Sequence, residues 1–325
     1  MIAEVGEYGL LRSLRPYFAQ PSGDLLLAAP DDDGALWRGD RCVVATTDTM
    51  VEDVDFRLDW PGFDFRLLGR RLISINLSDL AGMGAEPRFA LISLSLRGTL
   101  GLAQAQRLYR GIAEQAAKFG SSIAGGDLSG TKGPITLTAT LIGRVPAATQ
   151  VLRRRGARAG WQIAVTGSIG AAAAGLRLLE SGQRPRTRTE RAWVKAQLDP
   201  DPQVQAGQAL VRAGVRIGGD ISDGLHREVE RLIENERLGA TIDIECLPLA
   251  RGLGADDWQL IVRESEDFQL ICAAPAARIG AARRALERIN ISLTAVGTID
   301  RQPGIRLRRG ARIEQLENAG YEHFR

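Results

Sequence analysis

Asn76-Leu77-Ser78-Asp79-Leu80-Ala81-Gly82-Met83-Gly84-Ala85-Glu86-Pro87 sits where one periodicity gives way to another. The run leading into it, Phe65–Met83, places apolar residues at helical spacing, and the run leaving it, Phe89–Leu96, is an apolar segment of strand length. The alternation extends both ways. Cys42–Thr47 and Ile135–Val145 are rich in Val, Ile, Leu and Thr and read as strands, whereas Leu102–Phe119 reads as a helix closed by Gly120. Pro146–Gly160 then breaks the pattern with Pro, Gly and the cluster Arg153, Arg154, Arg155 and Arg158. It is expected to be an inter-domain connection whose arginines are solvated. A second α/β unit follows, with strands at Trp161–Thr166, Ile217–Asp220, Thr241–Cys246, Phe268–Cys272, Leu293–Ile299 and Ile305–Leu307. Its expected helices are Ala171–Glu180, Val204–Ala213, Gly224–Arg237 and Ala276–Ile289, and the polar, basic Ser181–Pro202 is expected to be irregular. The fold class is therefore α/β (mixed α+β), in two domains, 1–148 and 149–325.

Composition sets outer limits. The 325 residues are 44% apolar and 25% charged, ordinary for a globular chain with a sizeable core. Lys+Arg 42 against Asp+Glu 39 leaves +3, too even for a dedicated nucleic-acid binder. Only Lys118, Lys132 and Lys195 are lysines, so 42 − 3 = 39 of the cations are arginine. Cys42, Cys246 and Cys272 are far apart and form no CxxC pair, so they are expected to be buried thiols in a reducing compartment. The first residues lack the basic and apolar regions of a signal peptide, and no apolar run reaches the ~18 residues of a membrane span. A cytoplasmic location is the expectation.

Acidic residues gather in six places, read as strand ends or turns: Asp31-Asp32-Asp33, Thr46-Thr47-Asp48-Thr49, Asn76-Leu77-Ser78-Asp79, Gly125-Gly126-Asp127, Gly219-Asp220-Ile221-Ser222-Asp223-Gly224 and Glu264-Ser265-Glu266-Asp267. One carboxylate in a turn is ordinary, since Asp accepts backbone hydrogen bonds there. Several brought together repel unless a cation joins them. Gly allows close approach to a phosphate, and hydroxyl oxygens can complete the shell of Mg²⁺. Convergence of these segments would make a multi-magnesium, phosphate-binding site. Rival chemistry is poorly supported: there is no P-loop, no GxGxxG after a strand, no GxSxG, and only His226 and His323 as histidines.

In order and approximate spacing, Thr46-Thr47-Asp48-Thr49-Met50-Val51-Glu52, Asn76 to Pro87, Ala124-Gly125-Gly126-Asp127 and Asp220-Ile221-Ser222-Asp223-Gly224-Leu225 resemble thiamine-monophosphate kinases. Gly6-Glu7-Tyr8 and Gly320-Tyr321-Glu322-His323-Phe324 resemble that family's two ends. The resemblance implies a two-domain aminoimidazole-ribotide synthetase-like fold. Its N-terminal domain would bind ATP and magnesium and pair in a homodimer, with ATP in a cleft reaching across it. It implies several Mg²⁺ ions on Asp32, Thr46, Thr47, Asp48, Asp79, Asp127, Asp220 and Asp223. Tyr109, Gly126, Asp127, Arg144 and Ser222 would contact ATP, and Asp55, Glu266 and Phe324 the phosphorylated substrate, thiamine monophosphate. That acceptor phosphate is already an anionic nucleophile, so no general base is assigned. In-line transfer would give thiamine diphosphate and ADP.

The chain departs from the family pattern mainly on the substrate side. VEGVHF appears as Val51-Glu52-Asp53-Val54-Asp55-Phe56, GGEDYEL as Glu264-Ser265-Glu266-Asp267-Phe268-Gln269-Leu270, and the Gly of GDD as Asp31. Two alternatives stay open: a related ATP-dependent kinase or synthetase with another acceptor, and a non-catalytic nucleotide-binding homologue. Nucleic-acid and membrane partners are not expected.

Overall fold

The computed structural model describes residues 25–27, 35–38, 42–233 and 237–316. The first half is a six-stranded sheet of β1 (Leu25–Leu27), β2 (Ala35–Arg38), β3 (Cys42–Val51), β4 (Glu86–Arg97), β5 (Ser122–Thr131) and β6 (Thr136–Val145). Its order is β1-β2-β3-β6-β4-β5, with β4 and β5 parallel and the other pairs antiparallel. Helices α1 (Phe65–Gly82) and α2 (Leu102–Lys118) belong to this half. The second half is a seven-stranded sheet of β7 (Gln162–Thr166), β8 (Ile217–Asp220), β9 (Gly239–Asp243), β10 (Leu270–Ala274), β11 (Leu293–Asp300), β12 (Gly304–Arg309) and β13 (Arg312–Leu316). Its order is β13-β12-β9-β11-β7-β10-β8. With it run α3 (Ala171–Glu180), α4 (Arg188–Leu198), α5 (Val204–Arg212), α6 (Leu225–Ile233), α7 (Trp258–Glu264) and α8 (Ala276–Glu287). Among the described residues no helix is long and apolar enough to cross a membrane.

Helix α1 is the centre of the molecule. It is buried nearly all round, with Leu72, Ile73, Leu77 and Leu80 in the core and Arg71, Ser74, Asn76 and Ser78 buried beside them. A helix with one apolar stripe buries one face; burial on every side means that it is packed from several directions. The main core cluster accordingly runs from Val44, Leu137 and Leu141 of the first sheet through α1 to Ala206 and Leu210 of α5, Leu270 and Cys272 of β10, and Ile279 of α8. The two sheets are thus joined by shared apolar packing as well as by the connecting chain.

Four expectations are corrected. Residues 181–202 contain a helix, α4, started by a reciprocal Thr187–Glu190 capping box and held by buried Val194 and Leu198. Gly125–Asp127 is no turn but the middle of β5, where glycine reflects close packing: a Cβ on Gly126 would stand 1.8 Å from the Ile92 carbonyl oxygen. The strand expected at Thr241–Cys246 stops at Asp243, whose carboxylate accepts the Glu245 N–H and turns the chain into a short 3₁₀ helix. There Cys246 is exposed, whereas Cys42 and Cys272 are buried. Helix α7 and strand β13 had no sequence counterpart, because Trp258–Glu264 is short and Arg312–Leu316 is largely solvent-facing.

Candidate active site

The acidic segments converge, but from within regular elements rather than from turns. Asp48 lies inside β3, Asp79 inside α1, and Asp220 ends β8. Along β3 the side chains alternate between faces. Val44, Thr46 and Met50 are buried toward α1, and Asp48 shares their parity. The Thr46 hydroxyl donates to Asp79 Oδ2, and the carboxyl groups of Asp48 and Asp79 stand close enough for each to act on the other's ionisation. Asn76 fixes the geometry by accepting the Asp48 N–H at 3.1 Å while donating to the Leu72 carbonyl at 3.0 Å. Two residues later Ser78 Oγ donates to Asp220 Oδ2 at 2.6 Å, which binds the second half to the same cluster.

The electrostatics are unfavourable without a counter-ion. Burial, then repulsion from Asp220, pushes Asp48 up to about 6. Burial and the charges of Asp48 and Asp220 push Asp79 well above the usual carboxylate range. Burial also raises Asp220, against the opposing pull of Arg154. Asp220 Oδ1 is buried and accepts no hydrogen bond, with Arg154 Nη2 at 3.7 Å. Among the described residues no three His, Cys, Asp or Glu side chains already form a cage for a metal ion. Their oxygen donors, the mutually repelling carboxyls of Asp48 and Asp79 and the orphaned Asp220 Oδ1 nevertheless suit a hard cation, and Mg²⁺ is ordinarily held by one or two carboxylates completed by water and substrate phosphate.

Two loops close the site and are tied together: Ile221 N–H donates to the Gln269 carbonyl at 2.8 Å, and Phe268 N–H to the Ile221 carbonyl at 2.9 Å. In the first loop Asp223 pairs with Arg231 at 2.8 Å, and Arg231 also donates to buried Glu228. Burial pushes Glu228 up to about 7. Ser222 is half-buried beside them. In the second loop Asp267 caps α3, accepting the Gly170 N–H at 2.7 Å, and buried Ser265 donates to it at 2.5 Å. Glu266 stands close enough to Asp48 for its charge to act there.

Other expected residues lie elsewhere. Thr47 has the opposite parity to Thr46; its hydroxyl donates to the Ala139 carbonyl at 3.1 Å and accepts from Thr140. Asp127 is paired in register with Ser93, which pairs with Thr138, which faces Thr49. It therefore shares the face of Thr47 and lies three strand spacings from β3, roughly 14 Å. Gly126 is its neighbour on β5. Tyr109 is an exposed residue of α2, and Arg144 is ion-paired with Glu86 on the surface at 2.8 Å. Asp55 Oδ2 accepts the Val51 N–H at 2.7 Å and so braces its own loop. Asp32 and Phe324, like both chain-end motifs and His323, lie outside the described residues. The structure adds Asn76, Ser78, Arg71, Arg154 and Arg231. Arg154 was read as a solvated linker charge, yet its side chain is only 14% exposed and faces Asp220. Asn76 and Ser78 lie within the Asn-Leu-Ser-Asp motif and were legible there; the arginines carry no such mark.

Residues 30–145 match the model for the AIR synthase related protein N-terminal domain, and residues 158–310 match that for the C-terminal domain. The chain is 32% identical over 281 residues to the thiamine-monophosphate kinase of Mycobacterium tuberculosis (strain H37Rv), covering 83% of this chain and 81% of that one. It is 29% identical over 329 residues to the Escherichia coli K12 thiamine-monophosphate kinase, covering 98% of each. Its structure is similar to that of AaThiL complexed with AMPPCP and TMP, with a TM-score of 0.85 and 25% identity, covering 99% of this chain and 98% of that one.

Proposed function

Because the chain belongs to the thiamine-monophosphate kinase family of AIR synthase related proteins, we propose that it transfers the γ-phosphoryl group of ATP directly to the phosphate of thiamine monophosphate. The bond from the γ-phosphorus to the ADP oxygen breaks as a bond from an acceptor phosphate oxygen forms, giving ADP and thiamine diphosphate. The observation that carries this reading is the carboxylate group of half-buried Asp48 and Asp79 and buried Asp220, drawn from both halves of the chain and short of positive charge. These residues, with Thr46 and Asp223, would hold magnesium, joined by Asp32, Thr47 and Asp127 as the family resemblance implies. When bound, magnesium supplies charge neutralisation between the nucleotide and acceptor phosphates.

The chain's own residues do the positioning. Asn76 and Ser78 orient Asp48 and Asp220, and Arg154 presents a cation to incoming phosphate oxygens. Since the acceptor oxygen is already anionic, no base has to remove a proton. The substrate-side departures have structural tasks that leave the reaction intact: Asp55 braces the loop through the Val51 N–H, and Ser265 holds Asp267 at the start of α3. We further propose a cytoplasmic homodimer paired through the sheet face bearing Thr47, Thr49, Phe89, Leu91 and Asp127. That arrangement would account for two expected metal and nucleotide residues, Thr47 and Asp127, on the face away from Asp79.

The test is incubation with ATP, Mg²⁺ and thiamine monophosphate. Thiamine diphosphate should form in proportion to ADP, and chelation should stop it. Asp79→Asn should lower kcat by at least about a hundredfold, the scale expected when charge stabilisation at a phosphoryl group is lost. Magnesium-dependent ATP binding with no thiamine diphosphate would reject this acceptor, and full activity of Asp79→Asn would reject the site.

A further inference from the structure

Consecutive arginines on α1, Arg70 and Arg71, clamp the end of α4. Arg70 makes a two-pronged pair with Asp199, at 2.7 and 3.2 Å. Arg71 is 3% exposed, and its Nη1 donates to the Gln197 carbonyl, one of the carbonyls left over at the end of that helix. Its Nη2 donates to Glu266 Oε2 at 2.6 Å, and the guanidinium carbon lies 5.9 Å from the centre of the Phe268 ring. Gln197 Nε2 approaches the same Glu266 oxygen at 3.4 Å. Among the described residues both donors meet on Oε2, and none donates to Oε1. The Glu266 side chain is 40% exposed, so one carboxylate edge is anchored in the protein and the other is presented outward.

We infer that Arg71, backed by Gln197, is a positioning residue for the acceptor subsite, fixing Glu266 so that Oε1 faces a hydrogen-bond-donating or cationic part of the substrate. This rests on the reading of Glu266 as a substrate contact. A buried arginine is costly unless its charge is matched, and the rigid guanidinium bridges the Gln197 carbonyl and Glu266 Oε2, fixing the one against the other. Arg71 also offsets the Glu266 charge, so the subsite attracts a cationic ring without repelling the phosphate attached to it as strongly as a bare carboxylate would. Residues 181–202 enter the site in this way, since the end of α4 supplies Gln197.

The test uses Arg71→Gln, Arg71→Lys and Gln197→Ala in the full chain. Arg71→Gln should raise KM for thiamine monophosphate about tenfold or more, with kcat and KM for ATP within about threefold of wild type. Arg71→Lys should recover most of that loss, and Gln197→Ala should raise the same KM about two- to threefold. An unchanged acceptor KM in folded Arg71→Gln, or an equal rise in both KM values, overturns the inference. Should Arg71→Gln not fold, Gln197→Ala decides, and a wild-type acceptor KM in that variant overturns it. Calorimetric binding of thiamine monophosphate in the presence of a non-hydrolysable ATP analogue separates the two levels. No binding by wild type removes the function reading and this inference with it. Equal binding by wild type and Arg71→Gln removes this inference alone.

Discussion

At the scale of single residues, chemistry and position carried different amounts of information. That Asp48, Asp79 and Asp220 are candidates to hold a cation was legible, because each stands among hydroxyl, amide or glycine neighbours. That Arg71 holds Glu266 and Arg154 faces Asp220 was not, because several other arginines simply answer a surface carboxylate: Arg57 with Asp59, Arg66 with Glu114, Arg107 with Asp64. Glu228 gives a prediction at this scale. Burial lifts it to about 7 in the folded chain from an ordinary 4.5. The folded state thus binds the extra proton between those values, and stability falls as pH rises through that window. Asp48, raised to about 6, acts in the same direction. In chelator, urea unfolding should show lower stability at pH 8 than at pH 5.5. Glu228→Gln should shrink this difference between pH 5.5 and pH 8 by an amount on the order of 2 kcal/mol, since about 1.5 units of the window lie above pH 5.5 and one pKa unit is worth about 1.4. A flat wild-type profile, or an unchanged slope in the variant, would refute the assignment.

Among elements, the contact between α1 and α2 sets where Asp79 stands. The two helices meet at glycines: a Cβ on Gly69 would fall 2.1 Å from the Leu108 carbonyl oxygen, and one on Gly111 would fall 1.9 Å from that of Arg66. Helix propensity alone favours alanine by about 1 kcal/mol. Steric overlap with backbone should reverse that, because neither carbonyl can turn aside. Gly69→Ala and Gly111→Ala should each destabilise by roughly 2 kcal/mol net, read as a fall in the urea midpoint at constant slope. A rise in midpoint would mean that α2 moves freely on α1. Element types were largely readable from periodicity, and the exceptions have local causes. In α4 the arginines obscured an apolar stripe of Val194 and Leu198, although Thr187 and Glu190 carried the start signal. In β5 the glycines imitated a turn, although at Gly126 the glycine answers the close approach of the Ile92 carbonyl.

For the whole molecule, the arrangement of faces governs assembly. The first sheet buries Leu137, Ala139, Leu141, Ala90, Ile92 and Leu94 toward the core, while Phe89 and Leu91 on the opposite face remain 45% and 40% exposed. Apolar side chains amid Thr47, Thr49, Thr138 and Thr140 suit a protein partner, and the proposed partner is a second copy. Leu91→Arg should convert a dimer to a monomer in light scattering and weaken ATP binding, while leaving the circular dichroism unchanged. A dimer of undiminished mass in that variant would place the interface elsewhere.

By itself the sequence determined the alternation of helices and strands, the break near residue 150, and which residue types could hold magnesium and phosphate. These depend on neighbours a few positions apart. Only the tertiary structure decided which residues share a site. Thr46 and Thr47 are adjacent in sequence and fall on opposite faces of one sheet, because strand side chains alternate. Ser78 and Asp220, 142 positions apart, are 2.6 Å apart, because α1 is packed between the two halves. Burial then did what no motif expresses: by removing water it turned ordinary carboxylates into a repelling group, and turned Arg71 and Arg154 from surface charges into parts of the site.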